Sequence, residues 1–163
     1  MGMLIAKIVS GGQTGVDRGA LEAALELRFP YGGLVPRGRR ADDGIVPLVF
    51  DQMVEDSSAN YRVRTEKNVV NTDATIILNF GRELEGGTLL TQTFCAKHAK
   101  PCWVEDLNHV NETDRGLECI YWLETLGEGL VVNFAGAREF RCPGIQAASR
   151  AYVMRLIRAM TAG

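Results

Sequence analysis

The chain lacks the cysteine patterns that mark disulfide frameworks and zinc sites. Its four cysteines are dispersed, none forms a CxxC pair, and neither of its two histidines lies at a zinc-finger spacing from them. We therefore expect reduced thiols in a cytoplasmic protein with no metal site. The first apolar run, residues 4–9, is too short for a signal peptide, and no run approaches the ~20 apolar residues that a membrane span needs. A membrane is thus not expected as a partner.

Several common nucleotide-binding and catalytic motifs are also absent. The Walker A pattern fails because no lysine follows the glycines of the first glycine-rich turn, and the GxGxxG fingerprint is reduced to Gly12 and Gly15. No acidic residue follows the second predicted strand to bind a ribose, since Pro36 and Arg37 stand there instead. With two histidines, no Ser–His–Asp or Cys–His arrangement is apparent. These gaps disfavour P-loop NTPases, NAD enzymes and triad hydrolases.

Lysine is scarce and arginine is abundant. Of the 18 cationic residues, 14 are arginines and 4 are lysines, while the formal net charge of −2 disfavours nucleic acid as a partner. A codon bias toward arginine would explain that ratio but not the clustering. Guanidinium groups suit phosphate and oxyanion recognition better than ammonium groups do. Five arginines fall within 28 positions: Arg37, Arg39, Arg40, Arg62 and Arg64.

Short β-branched runs alternate with segments of helical periodicity. Five strands are predicted at residues 4–9, 33–35, 75–79, 102–105 and 130–134. Five helices are predicted at residues 17–28, 60–71, 87–97, 115–126 and 145–160. The alternation predicts an α/β fold in one domain, with a mainly parallel sheet of about five strands covered on both faces.

A glycine-rich turn, residues 10–15, joins the first predicted strand to the first helix. Its sequence is Ser-Gly-Gly-Gln-Thr-Gly. A strand, a glycine turn and a helix together place free backbone N–H groups and the positive end of the helix dipole at one point, where a phosphate binds well. An ordinary strand–helix turn is the alternative. The predicted phosphate-binding residues here are Gly11, Gly12, Gln13, Thr14, Gly15 and Asp17.

Residues 36–59 form an irregular segment that is long for a compact domain, and such loops are usually functional or mobile. It carries Arg37, Gly38, Arg39 and Arg40 just past the second predicted strand. Ligands of open α/β sheets bind outside the carboxyl ends of the strands. We therefore expect these residues at the same edge of the sheet as the first glycine turn.

The helix after this segment has a polar face. Tyr61, Arg64, Thr65 and Asn68 follow the spacing i, i+3, i+4, i+7, so they share one side of the helix. This pattern favours a face that lines a wet or ligand-filled cleft, because the arginine-rich segment leads into it. A solvated outer face is the alternative.

A second glycine turn follows the third predicted strand, and a third turn follows the fifth. Gly86, Gly87, Thr88 and Thr91 lie at the helix start of the second turn, where Thr88 either contacts a phosphate or caps the helix. The third turn carries residues that could close over a ligand or form a simple turn with an exposed ion pair: Gly136, Arg138 and Glu139. Two glycine turns and clustered arginines jointly predict a site for a nucleotide-like phosphate.

These stretches closely resemble the molybdenum carrier family. The resemblance spans nearly the whole chain: residues 7–21, 32–33, 36–44, 61–68, 86–91 and 133–139. One departure is Phe140, where a small polar residue is expected after the Arg-Glu pair. The resemblance implies a single Rossmann-like domain over residues 1–163, a three-layer αβα sandwich of the wider SLOG group. That group includes lysine-decarboxylase-like proteins and cytokinin-activating phosphoribohydrolases, and its members bind nucleotides or related ligands.

The family implies a carrier of molybdenum cofactor (molybdopterin) or of another phosphorylated, nucleotide-like ligand, and a homodimer or higher homo-oligomer. The alternative is a nucleoside-monophosphate phosphoribohydrolase-like enzyme or a nucleotide sensor. The related hydrolases carry a Gly-Gly-x-Gly-Thr-x-x-Glu loop in which the glutamate serves catalysis. Thr91 stands at that acidic position here, and a threonine cannot act as a carboxylate acid or base near neutral pH. Binding without catalysis is therefore favoured, although Asp17, Glu85 or Glu139 could supply a displaced carboxylate.

Overall fold

The computed structural model describes residues 2–109 and 115–161, so parts of the predicted domain, residues 1, 110–114 and 162–163, lie outside the described residues. Strands and helices alternate along the chain as expected. The strands are β1 Ile5–Val9, β2 Tyr31–Val35, β3 Arg40–Ala41, β4 Gly44–Ile45, β5 Met53–Glu55, β6 Ala74–Asn79, β7 Cys102–Asp106 and β8 Leu130–Gly136. The helices are α1 Val16–Glu26, α2 Tyr61–Val70, α3 Gly86–Lys97, α4 Arg115–Leu126 and α5 Ile145–Thr161, with a 3-10 turn at Leu107–His109.

Six strands pair in parallel in the order β5-β2-β1-β8-β6-β7. The α/β fold is thereby confirmed, and all five predicted strands are present. The sheet has one strand more than expected, because Met53–Glu55 lies inside the segment predicted to be irregular. That strand is three residues long and lies at the sheet edge, so its sequence is too short to show a strand pattern. The same segment holds the small antiparallel hairpin β3–β4.

Helices cover both faces of the sheet. One hydrophobic cluster joins α1, α4 and α5 to the sheet, with Ala20, Leu123 and Val153 fully buried. The opposite face is covered by α2 and α3, where Val69 packs with Phe94 and Cys95. Strand β6 is buried along its whole length because helices lie on both of its sides.

The strand order places a crevice at the carboxyl edge of the sheet. From β1 the chain proceeds outward to β2 and β5, and then crosses to β6 in the other half of the sheet. A reversal of this kind in an open parallel sheet leaves a crevice outside the strand ends, where ligands bind. The turns after β1, β2, β6 and β8 all lie at this edge. Among the described residues, no helix combines the length and apolar character needed to cross a membrane.

Candidate functional site

A cavity of about 860 Å³ opens at the carboxyl edge. Its volume falls in the range of about 300–1,000 Å³ that small-molecule sites usually occupy. The turns after β1, β6 and β8 and the polar face of α2 form its walls. The structure brings 13 of the predicted site residues to these walls: Gly11, Gln13, Asp17, Tyr61, Arg64, Thr65, Asn68, Gly86, Gly87, Thr88, Thr91, Gly136 and Arg138.

The other eight predicted site residues do not line the cavity: Gly12, Thr14, Gly15, Arg37, Gly38, Arg39, Arg40 and Glu139. Arg40 still reaches its border, since its guanidinium lies 5.1 Å from the centroid of the Tyr61 ring. Arg39 points inward and donates to the carbonyls of Val46, Pro47 and Phe50 at 3.0, 2.9 and 3.2 Å. The predicted arginine cluster is therefore divided between the cavity and the internal bracing of the 36–59 segment.

The backbone N–H groups of the first glycine turn already have acceptors within the protein. Five consecutive amides, from Gly12 to Val16, donate in order to Ser10 Oγ, Asp17 Oδ2, Gln13 Oε1, Gln146 Oε1 and the Ala137 carbonyl, at 2.9–3.4 Å. Asp17 also places a carboxyl group in the first turn of α1. The amides from Gly12 to Val16 are therefore occupied, whereas that of Gly11, which lines the cavity, donates to no acceptor among the described residues.

Three glycines of this turn make room for protein atoms. A Cβ at Gly11 would collide with the Arg64 guanidinium, and one at Gly12 would lie 2.9 Å from Val46 Cγ2. Gly15 has a φ of +88°, and its Cβ would collide with the backbone of the turn after β8. The sequence predicted that these glycines admit a phosphate. The structure gives them a packing role, which brings α1, α2 and the third turn together, and phosphate binding by this turn stays a prediction.

The second glycine turn is open. The amides of Gly86 and Gly87 donate to no acceptor among the described residues, and the side chain of the N-cap residue Glu85 makes no capping bond. The first turn of α3 contains no acidic residue, and a Cβ at either glycine would meet nothing within 4 Å. The positive end of α3 thus faces the cavity without a side-chain cap, beside the glutamates Glu83 and Glu85, which also line the cavity.

Arg64 and Asp17 form a buried, loosely paired couple in the cavity wall. Arg64 is 8% exposed, its Nη2 lies 3.8 Å from Asp17 Oδ2, and its Nη1 donates to Thr65 Oγ1 at 2.9 Å. Burial lowers the pKa of the Arg64 guanidinium and raises the pKa of the Asp17 carboxyl, which the charge of Arg64 partly offsets. Arg64 Nε is buried without a partner among the described residues. An incompletely paired buried cation favours an incoming anion.

Two amide side chains hold the walls in place. Gln13 Oε1 accepts from the backbone amides of Thr14 and Asp42, at 3.0 and 2.8 Å, while its buried Nε2 has no partner in the described chain. Asn68 binds both backbone groups of Leu34, at 2.9 and 3.1 Å, and so fixes α2 against β2. The polar face of α2 is therefore partly structural and partly open to the cavity.

The comparisons with known proteins agree with this architecture. The model of the circularly permutated YpsA SLOG family matches residues 8–157. The chain belongs to this family. It is also similar to a crystal structure, that of the "Putative molybdenum carrier protein" from Syntrophus aciditrophicus SB, with 38% sequence identity and a TM-score of 0.87. The match covers 96% of this chain and 97% of that one. No curated protein matches the sequence at a significant level.

Ion pairs tie the β3–β4 hairpin of this SLOG protein over the first glycine turn. Arg18 makes two bonds to Asp43, at 2.8 and 3.1 Å, and Arg138 pairs with Asp42 at 2.9 Å. The sequence analysis did not single out Arg18, Asp42 or Asp43. The adjacent aspartates inside an arginine-rich segment were the available signal for these contacts.

The third turn of the SLOG domain separates Arg138 from Glu139. Arg138 lines the cavity, whereas the Glu139 carboxylate accepts from the amides of Gly144 and Gln146, at 2.6 and 2.9 Å, at the start of α5. A ligand contact by Glu139 stays a prediction. The cavity also includes two asparagines that the sequence analysis missed as site residues, Asn79 and Asn133. Asn79 ends the buried strand β6 and Asn133 lies in the middle of β8, and a polar residue in a mostly apolar strand was the available signal.

Proposed function

We propose that the protein binds a phosphorylated pterin or nucleotide-like ligand, foremost molybdenum cofactor, in this cavity, and that it acts as a binder or carrier. The open N-terminus of α3 at Gly86 and Gly87 is the observation that carries the proposal. Two unsatisfied backbone donors and the helix dipole suit a phosphate dianion. The buried, loosely paired Arg64 adds a positive charge in the same cavity.

The donor set of the cavity fits molybdenum cofactor. Its phosphate would take the amides of Gly86 and Gly87, with Thr88 beside them. The polar edge of its pterin could pair with amide side chains such as Asn79 and Asn133, which also line the cavity. Arginine guanidiniums suit the oxygen atoms of an oxomolybdenum group. The similarity to a protein named as a molybdenum carrier supports the same ligand.

The residues of the second glycine turn favour ligand binding without catalysis. Thr91 stands where the related phosphoribohydrolases carry their glutamate, and its hydroxyl donates to the Gly87 carbonyl at 3.0 Å. It therefore holds the helix start together. No carboxylate replaces it at that position of α3.

One observation favours a nucleotide-cleaving enzyme as a second candidate. Asp17 lines the cavity with a carboxyl group whose pKa is raised by burial. A carboxyl with a raised pKa can act as a general acid or base. Cleavage of an N-glycosidic bond would then release a free base, which a carrier would leave attached.

Native mass spectrometry of the purified protein with a competing mixture separates these candidates. The mixture contains molybdenum cofactor, AMP, CMP, NADP and molybdate. We expect selective retention of intact cofactor, and the same spectrum tests the predicted homo-oligomer by its mass. Retention of a nucleoside monophosphate with release of free base would favour the enzyme instead.

A variant pair tests the place of binding. Gly87→Val puts a branched side chain at the open helix start, and we expect it to weaken ligand retention by at least about tenfold. Leu89→Val is the matched control, because Leu89 is exposed in the same helical turn and does not line the cavity. Equal retention by the two variants would contradict the proposed phosphate position.

A further inference from the structure

Three guanidinium groups surround one tyrosine ring at the border of the cavity. The Cζ atoms of Arg138, Arg40 and Arg64 lie 5.0, 5.1 and 5.7 Å from the centroid of the Tyr61 ring. We call these four residues the Tyr61 cluster. They come from three separate elements, the turn after β8, the strand β3 and the helix α2. An aromatic face attracts cations, so the ring helps to hold three like charges together.

The positive charge of the Tyr61 cluster exceeds the negative charge that the structure pairs with it. Arg138 pairs with Asp42 at 2.9 Å, and Arg64 lies 3.8 Å from Asp17. Arg40 forms no ion pair with any residue that the structure describes. Three guanidiniums thus face two carboxylates. Burial lowers the pKa of Arg64, the charge of Asp17 partly offsets this, and the nearby charge of Arg138 lowers it further.

One member of the Tyr61 cluster is buried and incompletely bonded. Arg64 is 8% exposed, and its Nε has no partner in the described part of the chain. A buried guanidinium with an unused N–H is costly unless an acceptor arrives. Asp42 already places a carboxylate on Arg138 in this cluster, which marks a position where an anionic group is accepted.

The Tyr61 cluster lies apart from the second glycine turn. Arg64 sits against Gly11, which follows β1, whereas Gly86 and Gly87 belong to the turn after β6. Strand β8 separates β1 from β6, so the two turns are two strand spacings apart, or about 10 Å. The long arginine side chains span part of this distance. The strand order therefore places the two regions at different parts of one cavity.

We propose that the Tyr61 cluster is a second anion subsite, and that the ligand carries two separate anionic groups on a nucleotide-sized body. This inference rests on the proposed function, because the first group is the phosphate at Gly86 and Gly87. The second group exchanges with Asp42 on Arg138 and accepts from Arg40. The guanidinium fork provides two parallel N–H donors for such an oxyanion. The cluster thus selects ligands with two separate anionic groups over ligands with one phosphate.

Isothermal titration calorimetry with AMP and adenosine 3′,5′-bisphosphate tests the second subsite. The probes share a base, a ribose and the 5′-phosphate, and only the bisphosphate has a second phosphate, on the 3′ oxygen of the ribose. We expect the wild-type protein to bind the bisphosphate at least about tenfold more tightly than AMP. In Arg40→Ala with Arg138→Ala, this advantage should fall to about twofold or less, while the affinity for AMP changes little.

Two further variants keep the result interpretable. Arg37→Ala with Arg150→Ala removes two charges whose side chains do not line the cavity, so it controls for net charge and should keep the advantage of the bisphosphate. Arg40→Ala alone removes the exposed guanidinium that has no ion pair, so it tests the subsite if the double variant unfolds.

The outcomes separate this inference from the proposed function. Equal affinities of the wild-type protein for the two probes, or an advantage that survives in the arginine variants, would overturn the second subsite and leave the phosphate site standing. Failure of both probes to bind would overturn the second subsite for nucleotide ligands, whereas the proposed function is tested separately by retention of molybdenum cofactor in the mass spectrum. Loss of AMP binding in the double variant would place a single anion at the Tyr61 cluster and so would also overturn two subsites.

Discussion

The two glycine turns look alike in sequence and differ in structure. Both join a strand to a helix, yet the amides of residues 12–16 all donate to protein acceptors, whereas those of Gly86 and Gly87 donate to none among the described residues. Asp17 occupies the first turn of α1, and no acidic residue occupies the first turn of α3. A glycine-rich sequence therefore predicts that another group approaches the backbone closely. Whether this group belongs to the protein or to a ligand depends on the hydrogen-bond acceptors around the turn.

The difference follows from what lies beside each turn. Gln13, Asp17 and Gln146 supply side-chain acceptors to the first turn. The second turn is bounded by Glu85, whose side chain makes no capping bond. We infer that the first turn holds the site together and that the second binds the ligand.

The largest expected effect is a loss of folding free energy when a side chain is introduced into the packed first glycine turn. Gly15→Val should destabilise the protein by about 3 kcal/mol or more, because its φ of +88° is strained for a branched residue and its Cβ would collide with the backbone after β8. Urea denaturation measures the change. Gly87→Ala is the control, since open space surrounds that glycine; we expect a change within about 1 kcal/mol. Equal losses would remove the distinction between the turns.

Arg39→Ala should cost about 2 kcal/mol of folding free energy. Arg39 donates to three backbone carbonyls in the segment that packs against Gly12 through Val46, so its loss loosens the support of the first turn. Arg37→Ala is the control, because Arg37 is exposed; its effect should stay within about 0.5 kcal/mol. Thermal and urea unfolding both report this difference. A larger loss for Arg37→Ala would contradict the assignment of roles.

Arg64→Lys should weaken binding of adenosine 3′,5′-bisphosphate by roughly tenfold, which is about 1.4 kcal/mol. The substitution keeps the positive charge but removes the planar fork and the unpaired Nε donor. Calorimetry gives the affinity, and Arg150→Lys, on α5 away from the cavity, is the matched control. Unchanged affinity in Arg64→Lys would mean that Arg64 serves only as the counter-ion of Asp17.

The smallest effect concerns pH. Burial raises the pKa of Asp17 in the folded protein, so the folded state favours the protonated carboxyl. The contribution of the protonated Asp17 carboxyl to the free energy of unfolding is therefore complete below the pKa of about 4 that Asp17 has in the unfolded chain. It is lost as the pH rises through the higher pKa that Asp17 has in the folded protein. Asp17→Asn, which keeps an acceptor for the Gln13 amide, should flatten this decline. Identical slopes of unfolding free energy against pH in the two proteins would exclude an ionising Asp17.

The layers of the fold and much of the cavity wall could be predicted from the sequence alone. Strands such as Ala74–Asn79 are recognisable because burial on both faces demands a continuous apolar run. The spacing of Tyr61, Arg64, Thr65 and Asn68 predicted one face, and all four line the cavity. Local pattern could not show β5, which depends on pairing with β2, nor the inward turn of Arg39. Both depend on residues distant in the chain.

An amide-resolved titration tests the central claim most directly. In a ¹H–¹⁵N correlation spectrum, adding molybdenum cofactor or AMP should shift the amide protons of Gly86 and Gly87 downfield, because they gain hydrogen bonds to the phosphate. The amides of Gly12 and Gly15 should move little, since their acceptors are already in place. Large shifts at Gly12 and Gly15 with none at Gly86 and Gly87 would contradict the account and return the phosphate to the first glycine turn.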